Sequence, residues 1–205
     1  GKTVMVVTTD DRMAGLIAVA DQVKSDSQEA IESLHHQRMK VIMLTGDNPQ
    51  TANTIADKVG IDEVYAEVRP EEKSSKVKEI RDEDRKVGMV GDGINDAPAL
   101  AYADVGVAMG SKRTDIAMEA ADVTITADNP LMIPAAIRLS QKTMEIVKQN
   151  FTAAIGINSI GLLLASLGFL PVFWSAVLHN ATTIAVVFNS SRLLFHKIEG
   201  VEKHD

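Results

Sequence analysis

MVGDGINDAPAL, residues 89–100, decides how this chain is read. It continues an apolar run that begins at Val87 and ends that run in two aspartates, Asp92 and Asp96, with Gly91 and Gly93 flanking the first. Aspartate and glycine both disfavour the interiors of strands and helices, so such a cluster costs stability unless it has a task. Taken alone, it reads equally well as a strand that ends in an ordinary Gly/Asn/Asp turn. Its surroundings separate the two readings.

On the N-terminal side the pattern alternates. Residues 27–37 read as a helix capped by Ser25, Asp26 or Ser27, with Ala30, Ile31 and Leu34 at helical spacing. Residues 41–44 form a short apolar strand that runs into Thr45-Gly46-Asp47-Asn48. Pro49 opens a helix that Gly60 closes. Residues 64–66 predict a further strand, 70–82 a helix, and 87–90 the strand of the motif. Beyond it come 98–103, a strand at 105–108, a helix at 113–121 and a strand at 123–125. Strands alternating with helices of about ten residues imply an α/β fold, a doubly wound parallel sheet covered on both faces. Ahead of this, 4–7 and 16–20 predict a hairpin that turns at Thr8-Thr9-Asp10-Asp11-Arg12. The leading Gly1-Lys2-Thr3 imitates the end of a phosphate-binding P-loop, but a β-branched run follows where that loop needs a helix.

A formal charge of −7 argues against a nucleic-acid-binding surface. The chain has no cysteine, which excludes disulfides and thiolate metal sites. From Phe151 to Ser191, 41 residues contain no Asp, Glu, Lys or Arg. A core helix needs one apolar face, whereas this run is apolar around most of its circumference. A bilayer span takes about 20 such residues. Residues 151–170 and 172–194 each suffice, with Gly168-Phe169-Leu170-Pro171 as the turn between them. Residues 130–150 read as a helix, interrupted or begun at Pro134, that leads into the first span. Arg138, Lys142 and Lys148 precede the hairpin and Arg192 and Lys197 follow it, so both ends favour the cytoplasmic side. The expectation is a multi-pass protein of the cell membrane with 1–149 as a cytoplasmic soluble domain, 150–195 as two helices in lipid, and 196–205 as a cytoplasmic tail.

Ligands of open α/β sheets bind beyond the carboxyl ends of the strands. Two strands deliver polar groups there. Thr45 offers a hydroxyl and Gly46 an unobstructed backbone N–H, donors that a phosphate oxygen needs. Asp92 and Asp96 offer hard oxygens of the kind that bind Mg²⁺ together with substrate phosphate. Lys73, in RPEEKSSK at the head of the intervening helix, can neutralise phosphate charge, although a lone lysine is more often a solvated surface residue.

The combination of MLTGDN, the RPEEK lysine and MVGDGINDAPALAYADVGVAMG closely resembles the phosphorylation domain of P-type ion-pumping ATPases, in the haloacid-dehalogenase-like superfamily. The resemblance covers nearly the whole chain, hairpin included. It implies that Thr45, Gly46 and Asp47 form the phosphate-binding loop and that Lys73 stabilises phosphate charge. It further implies that Asp92 ligates Mg²⁺, that Asp96 supports that ion and the lysine, and that Asn95 contacts the phosphate. ATP would be the substrate. One departure is large: the Asp-Lys-Thr-Gly-Thr motif that supplies the family's nucleophile on the first strand of the sheet is absent from these 205 residues. The chain is therefore expected to be a C-terminal piece, with an incomplete sheet, of a pump whose N-terminal part lies elsewhere. The alternatives are a membrane-tethered phosphohydrolase of the same superfamily, or a non-catalytic tethered fragment.

A single hairpin after this domain is similar to the heavy-metal (CPx-type) pumps. His179-Asn180 resembles the His-Asn variants associated with manganese, zinc or iron transport. Of the copper pumps' Tyr-Asn pair, Ile157-Asn158 matches only the second member. Polar groups inside a membrane span are functional candidates, although they also simply bond neighbouring helices. The resemblance marks Asn158, His179 and Asn180 as candidate ligands of the transported ion. The hairpin has no Asp, Glu, Cys, Lys or Met, so its ligands are neutral imidazole, amide and hydroxyl groups. These suit a divalent first-row metal better than copper(I).

Overall fold

The computed structural model describes residues 3–9, 12–19, 23–83, 85–91, 94–110 and 119–195. They form two compact units, Gly1–Pro134 and Ala135–Asp205.

The first unit opens with an antiparallel hairpin, β1 (Thr3–Thr9) and β2 (Arg12–Val19). Both strands reach further toward each other than the sequence reading expects. Thr8, Thr9 and Arg12 are paired in the ladder, Thr9 with Arg12, rather than forming a wide turn. β-branched threonines suit a pleated strand, and a register shift between Val7 and Thr8 absorbs the irregularity. Asp10 and Asp11 lie outside the described residues.

The α/β part follows the expected alternation: α1 (Ser27–His36), β3 (Ile42–Leu44), α2 (Pro49–Val59), β4 (Glu63–Tyr65), α3 (Pro70–Asp82), β5 (Gly88–Gly91), α4 (Ala97–Tyr102), β6 (Val105–Met109) and β7 (Val123–Ile125). A short 3₁₀ turn, Ile94–Asp96, joins β5 to α4. All of these strands pair in parallel, in two separate ladders, β3-β4 and β5-β6-β7. The expected helix at 113–121 falls largely outside the described residues.

Local chemistry sets the elements. Asn48 accepts the Thr51 N–H at 2.9 Å, Pro49 occupies the first turn of α2, and Gly60 ends that helix at φ 84°. Ala52, Ala56 and Val59 repeat on one face and are buried. Leu100 and Ala108 form the centre of the second ladder's core, against Met89 and Ala121. Gly106 is obligatory there, because a Cβ would lie 2.7 Å from the Leu100 carbonyl oxygen.

Three aspartates fix the strand pairing. Asp62, Asp104 and Asp122 each stand immediately before a strand and bracket one residue of the neighbouring chain. The Asp62 N–H reaches the Val41 carbonyl at 3.0 Å while its carboxylate takes the Val41 N–H at 2.6 Å. Asp104 does the same to Val87, both at 2.9 Å, and Asp122 to Gly106, at 2.9 and 2.8 Å. A one-residue slip would break both bonds of a bracket, so the register is held at the amino ends of the strands.

The second unit contains most of α5 (Met132–Ser166) and α6 (Val172–Ser191), followed by a 3₁₀ turn, Arg192–Phe195. Pro134 sits in the first turn of α5, where its missing N–H costs nothing. The helix then runs unbroken from the charged segment into the apolar one, as expected. It ends at Ser166, short of 170, because Gly168 (φ 79°) closes it with Phe169 N–H on the Leu164 carbonyl and its own N–H on Ala165. Among the described residues one helix, Val172–Phe195, is long and apolar enough to cross a membrane.

Candidate functional site

The carboxyl end of β3 and the amino end of α3 are stitched together by backbone. Thr45 donates to the Tyr65 carbonyl and accepts from the Val68 N–H, both at 3.0 Å, while the Asp47 carbonyl accepts from Glu67 at 2.9 Å. Glu67 takes a left-handed φ of 55° to do so. Within the loop, the Thr45 hydroxyl donates to Asp47 Oδ2 at 2.9 Å and accepts the Asp47 N–H at 3.1 Å. The three loop residues singled out in the sequence therefore form one hydrogen-bonded turn. A Cβ on Gly46 would meet only the Val68 carbonyl, at 3.7 Å, so packing alone does not demand glycine there.

The next segment starts α3 with Pro70 in its first turn and the Arg69 N–H on Glu72 Oε2 at 3.1 Å. Nearly two turns into the helix, Lys76 lies 4.0 Å from the centre of the Tyr65 ring. The Tyr65 hydroxyl donates to Glu63, which pushes the phenol pKa up to about 12. These contacts orient α3 so that Lys73, three residues before Lys76, points to the other ladder. There its Nζ meets Asp96 Oδ1 at 2.8 Å.

Asp96 is buried, at the end of the 3₁₀ turn that leaves β5. Gly91 makes this possible: a Cβ there would lie 2.6 Å from the Asp96 Cβ and 3.0 Å from its Oδ2. The glycine before Asp92 thus makes room for the second aspartate. Asn95 is exposed beside Asp96. Asp92 lies outside the described residues. Asp96 and Asn95 present hard oxygens at one strand end without sulfur or imidazole, which suits a small divalent cation such as Mg²⁺. Asp96 already spends Oδ1 on Lys73, so it suits support of such an ion through that bond.

In the hairpin, the two helices bring Asn158 and His179 together, with His179 Nδ1 3.3 Å from Asn158 Oδ1. Asn180 donates its amide N–H to the Ala176 carbonyl at 2.9 Å. The sequence reading missed a polar clasp at the other end. Asn150 donates to Ser190 Oγ and accepts from Asn189 Nδ2, both at 2.8 Å, and Arg192 Nη1 reaches Asn189 Oδ1 at 3.1 Å. Polar residues at both edges of an apolar run are its only sequence signal. The aspartate brackets were also missed, although Asp stands directly before 63, 105 and 123.

Residues 1–104 match the family model of the haloacid dehalogenase-like hydrolases. A copper-exporting P-type ATPase of Bacillus subtilis (strain 168) is 47% identical over 193 residues, 94% of this chain and 24% of that protein. A manganese-exporting P-type ATPase of Mycobacterium tuberculosis (strain H37Rv) is 41% identical over 199 residues, 97% of this chain and 28% of that protein. The crystal structure of a zinc-transporting PIB-type ATPase in its E2.Pi state superposes with a TM-score of 0.85 at 36% identity, over 95% of this chain and 32% of that one. The chain spans about a quarter of the length of the curated relatives it matches.

Proposed function

Because the chain belongs to the haloacid dehalogenase-like hydrolase family, we propose that it is the C-terminal part of an ATP-driven transition-metal pump working through an aspartyl-phosphate. The observation that carries this reading is the Lys73–Asp96 contact of 2.8 Å, which joins two motifs 23 residues apart at the carboxyl edge of the strands. In an enzyme that only bound phosphate at a surface loop, nothing would require the lysine to be held by a buried carboxylate. The nucleophile, which this chain lacks, would come from a strand lying beside β3 and β5. Each of those strands has one edge that no described strand pairs.

In this arrangement the Thr45 hydroxyl and the Gly46 N–H donate to the phosphoryl oxygens, and the Thr45–Asp47 bonds hold that loop in place before substrate arrives. Lys73 offsets the charge that spreads over the phosphoryl group in transfer, and Asp96 keeps its ammonium aimed there. Asn95 contacts the phosphate from the β5 side. Asp92 and Asp96 would hold Mg²⁺, which supplies charge neutralisation when bound. Phosphorylation then biases domain movements that change ion access to the membrane. The protein is read as multi-pass in the cell membrane, with the α/β domain cytoplasmic and the turn at Gly168 on the far side.

The cargo follows from the hairpin's donors rather than from overall similarity, since the relatives are named for different metals. An imidazole and an amide oxygen at Asn158–His179 suit a divalent first-row ion, manganese, zinc or iron, over copper(I). The test begins with the coding region upstream of Gly1, which should contain the Asp-Lys-Thr-Gly-Thr motif. In the full-length protein, Asp92→Ala should reduce phosphoenzyme formed from ATP by orders of magnitude. His179→Ala and Asn158→Ala should weaken metal stimulation of ATPase activity while leaving phosphorylation by inorganic phosphate intact. A near-normal phosphoenzyme level in Asp92→Ala would sink the assignment, and preferential activation by Cu⁺ would overturn the choice of cargo.

A further inference from the structure

Among the described residues, two that are not glycine take a left-handed backbone, Arg38 at φ 62° and Glu67 at φ 55°. This conformation crowds the Cβ against the following carbonyl, so L-residues apart from Asn and Asp seldom adopt it. Arg38 has an ordinary reason. It follows α1, where its N–H takes the His35 carbonyl at 2.8 Å and the Met39 N–H takes that of Leu34 at 3.1 Å, a common closure of a helix. Glu67 closes no helix. It lies between β4 and α3, in Ala66-Glu67-Val68, and none of these residue types favours the left-handed region. It is also exposed, so burial of its side chain does not account for the conformation.

The hydrogen bonds around it do. Leu44 pairs with Tyr65, and the Thr45 N–H takes the Tyr65 carbonyl at 3.0 Å, as a parallel ladder requires. One more regular step would bring the Glu67 N–H to the Thr45 carbonyl. The Val68 N–H takes that carbonyl instead, at 3.0 Å, so one extra residue is inserted opposite Thr45 as in a β-bulge. The N–H of the extra residue, Glu67, turns to the Asp47 carbonyl at 2.9 Å. Asp47 is thereby held at both ends, since its own N–H rests on the Thr45 hydroxyl at 3.1 Å. Gly46 lies between these two bonded residues. The bulged segment backs it, with the Val68 carbonyl 3.7 Å from where a Cβ would stand.

We propose that Glu67 is a positioning residue of the phosphate site: its left-handed backbone, not its carboxylate, holds the Thr45-Gly46-Asp47 loop in the shape that receives phosphate. The proposal rests on the reading of that loop as the phosphate-binding loop. A loop that its ligand must first order binds that ligand less tightly than one fixed beforehand. The bulge fixes this loop through main-chain bonds, which a change of side-chain charge does not touch.

The test ranks side chains by their tolerance of that backbone. In the full-length protein, phosphoenzyme formed from inorganic phosphate gives the phosphate concentration at half-maximum, which reads the affinity of the folded molecules whatever their number. Glu67→Gly and Glu67→Asn remove the carboxylate and keep access to the left-handed region, so each should stay within about twofold of the unaltered protein. Glu67→Val, branched at Cβ, should raise the half-maximal concentration about tenfold, and Glu67→Ala about threefold. Where Glu67→Val does not fold, the gap between Glu67→Ala and Glu67→Gly carries the same comparison. An unchanged half-maximum in Glu67→Val and Glu67→Ala would mean that the loop keeps its shape without the bulge, and would overturn the proposal. Equal losses in Glu67→Gly, Glu67→Asn and Glu67→Ala would assign the effect to the carboxylate and overturn it as well. Absence of phosphoenzyme from the unaltered full-length protein would instead overturn the reading of the loop on which the proposal stands.

Discussion

Lys73 and Asp96 are worth most to the argument as a pair, and a double-mutant cycle measures them as one. Lys73→Met keeps the length of the stem and removes the ammonium; Asp96→Asn keeps the shape and removes the charge. Two unit charges 2.8 Å apart attract by about 6 kcal/mol at an effective dielectric constant of 20, before desolvation is subtracted. The side chains are 20% and 12% exposed, so they have given up most of their hydration and water still screens them in part. The net coupling expected is about 1–3 kcal/mol. Lys73→Met alone should cost about 2–3 kcal/mol, because it strands a carboxylate with little solvent to turn to. Asp96→Asn should cost about 1 kcal/mol, and the double variant about as much as the lysine change alone. Amide hydrogen exchange of α3 and α4, in the chain held in detergent micelles, reads this locally. Each 1.4 kcal/mol is a tenfold change in exchange rate where exchange follows the opening equilibrium. Strictly additive single effects would mean that the pair is an incidental surface contact. The site would then lose the bond that joins its two ladders.

Two further outcomes follow from the same geometry. Gly91→Ala places a methyl 2.6 Å from the Asp96 Cβ, which cannot swing away without moving the 3₁₀ turn; overpacking of this kind costs about 1–3 kcal/mol and should lower the thermal midpoint of the chain, with Gly88→Ala, whose Cβ would meet nothing closer than 3.9 Å, as the mild control. The Val87 N–H and then Lys86 hold the Asp104 carboxyl below its usual pKa of 3.8, and the Val41 N–H and His35 do the same for Asp62. Depressed carboxylates stabilise the fold above their unfolded pKa and lose that contribution as pH falls through the folded value. The stability difference between the unaltered chain and Asp104→Asn, measured by urea unfolding, should therefore hold at neutral pH and shrink below pH 3.8; a difference that grows on acidification would contradict the bracket.

The sequence is most legible where a local signal and a packing requirement coincide. Asn48-Pro49 and Gly60 bound α2 because cap, proline and left-handed glycine each act within one turn of chain. Periodic alanines then bury the face that the caps have positioned. The Lys73–Asp96 bond is different in kind. No local rule puts a lysine of one helix on a carboxylate that follows a strand of the other ladder; the resemblance, not the local pattern, links the two residues, and the fold supplies the distance. The hairpin turn at residues 8–12 misled because Asp10 and Asp11 are strong turn formers, and their signal was spread over threonines that belong to the strands. The role of Gly91 shows the same limit from the other side. Glycine beside a candidate metal ligand invites a reading in terms of the metal, yet the atom that excludes a side chain there is the Asp96 Cβ. A sequence states which residues are small and which are charged, but crowding is a property of two chain segments at once. The hydroxyls of α6 carry this furthest. Five Ser and Thr residues look alike in the sequence, and four satisfy themselves on their own helix. Only tertiary packing distinguishes Ser175, whose oxygen is buried without a hydrogen-bond partner.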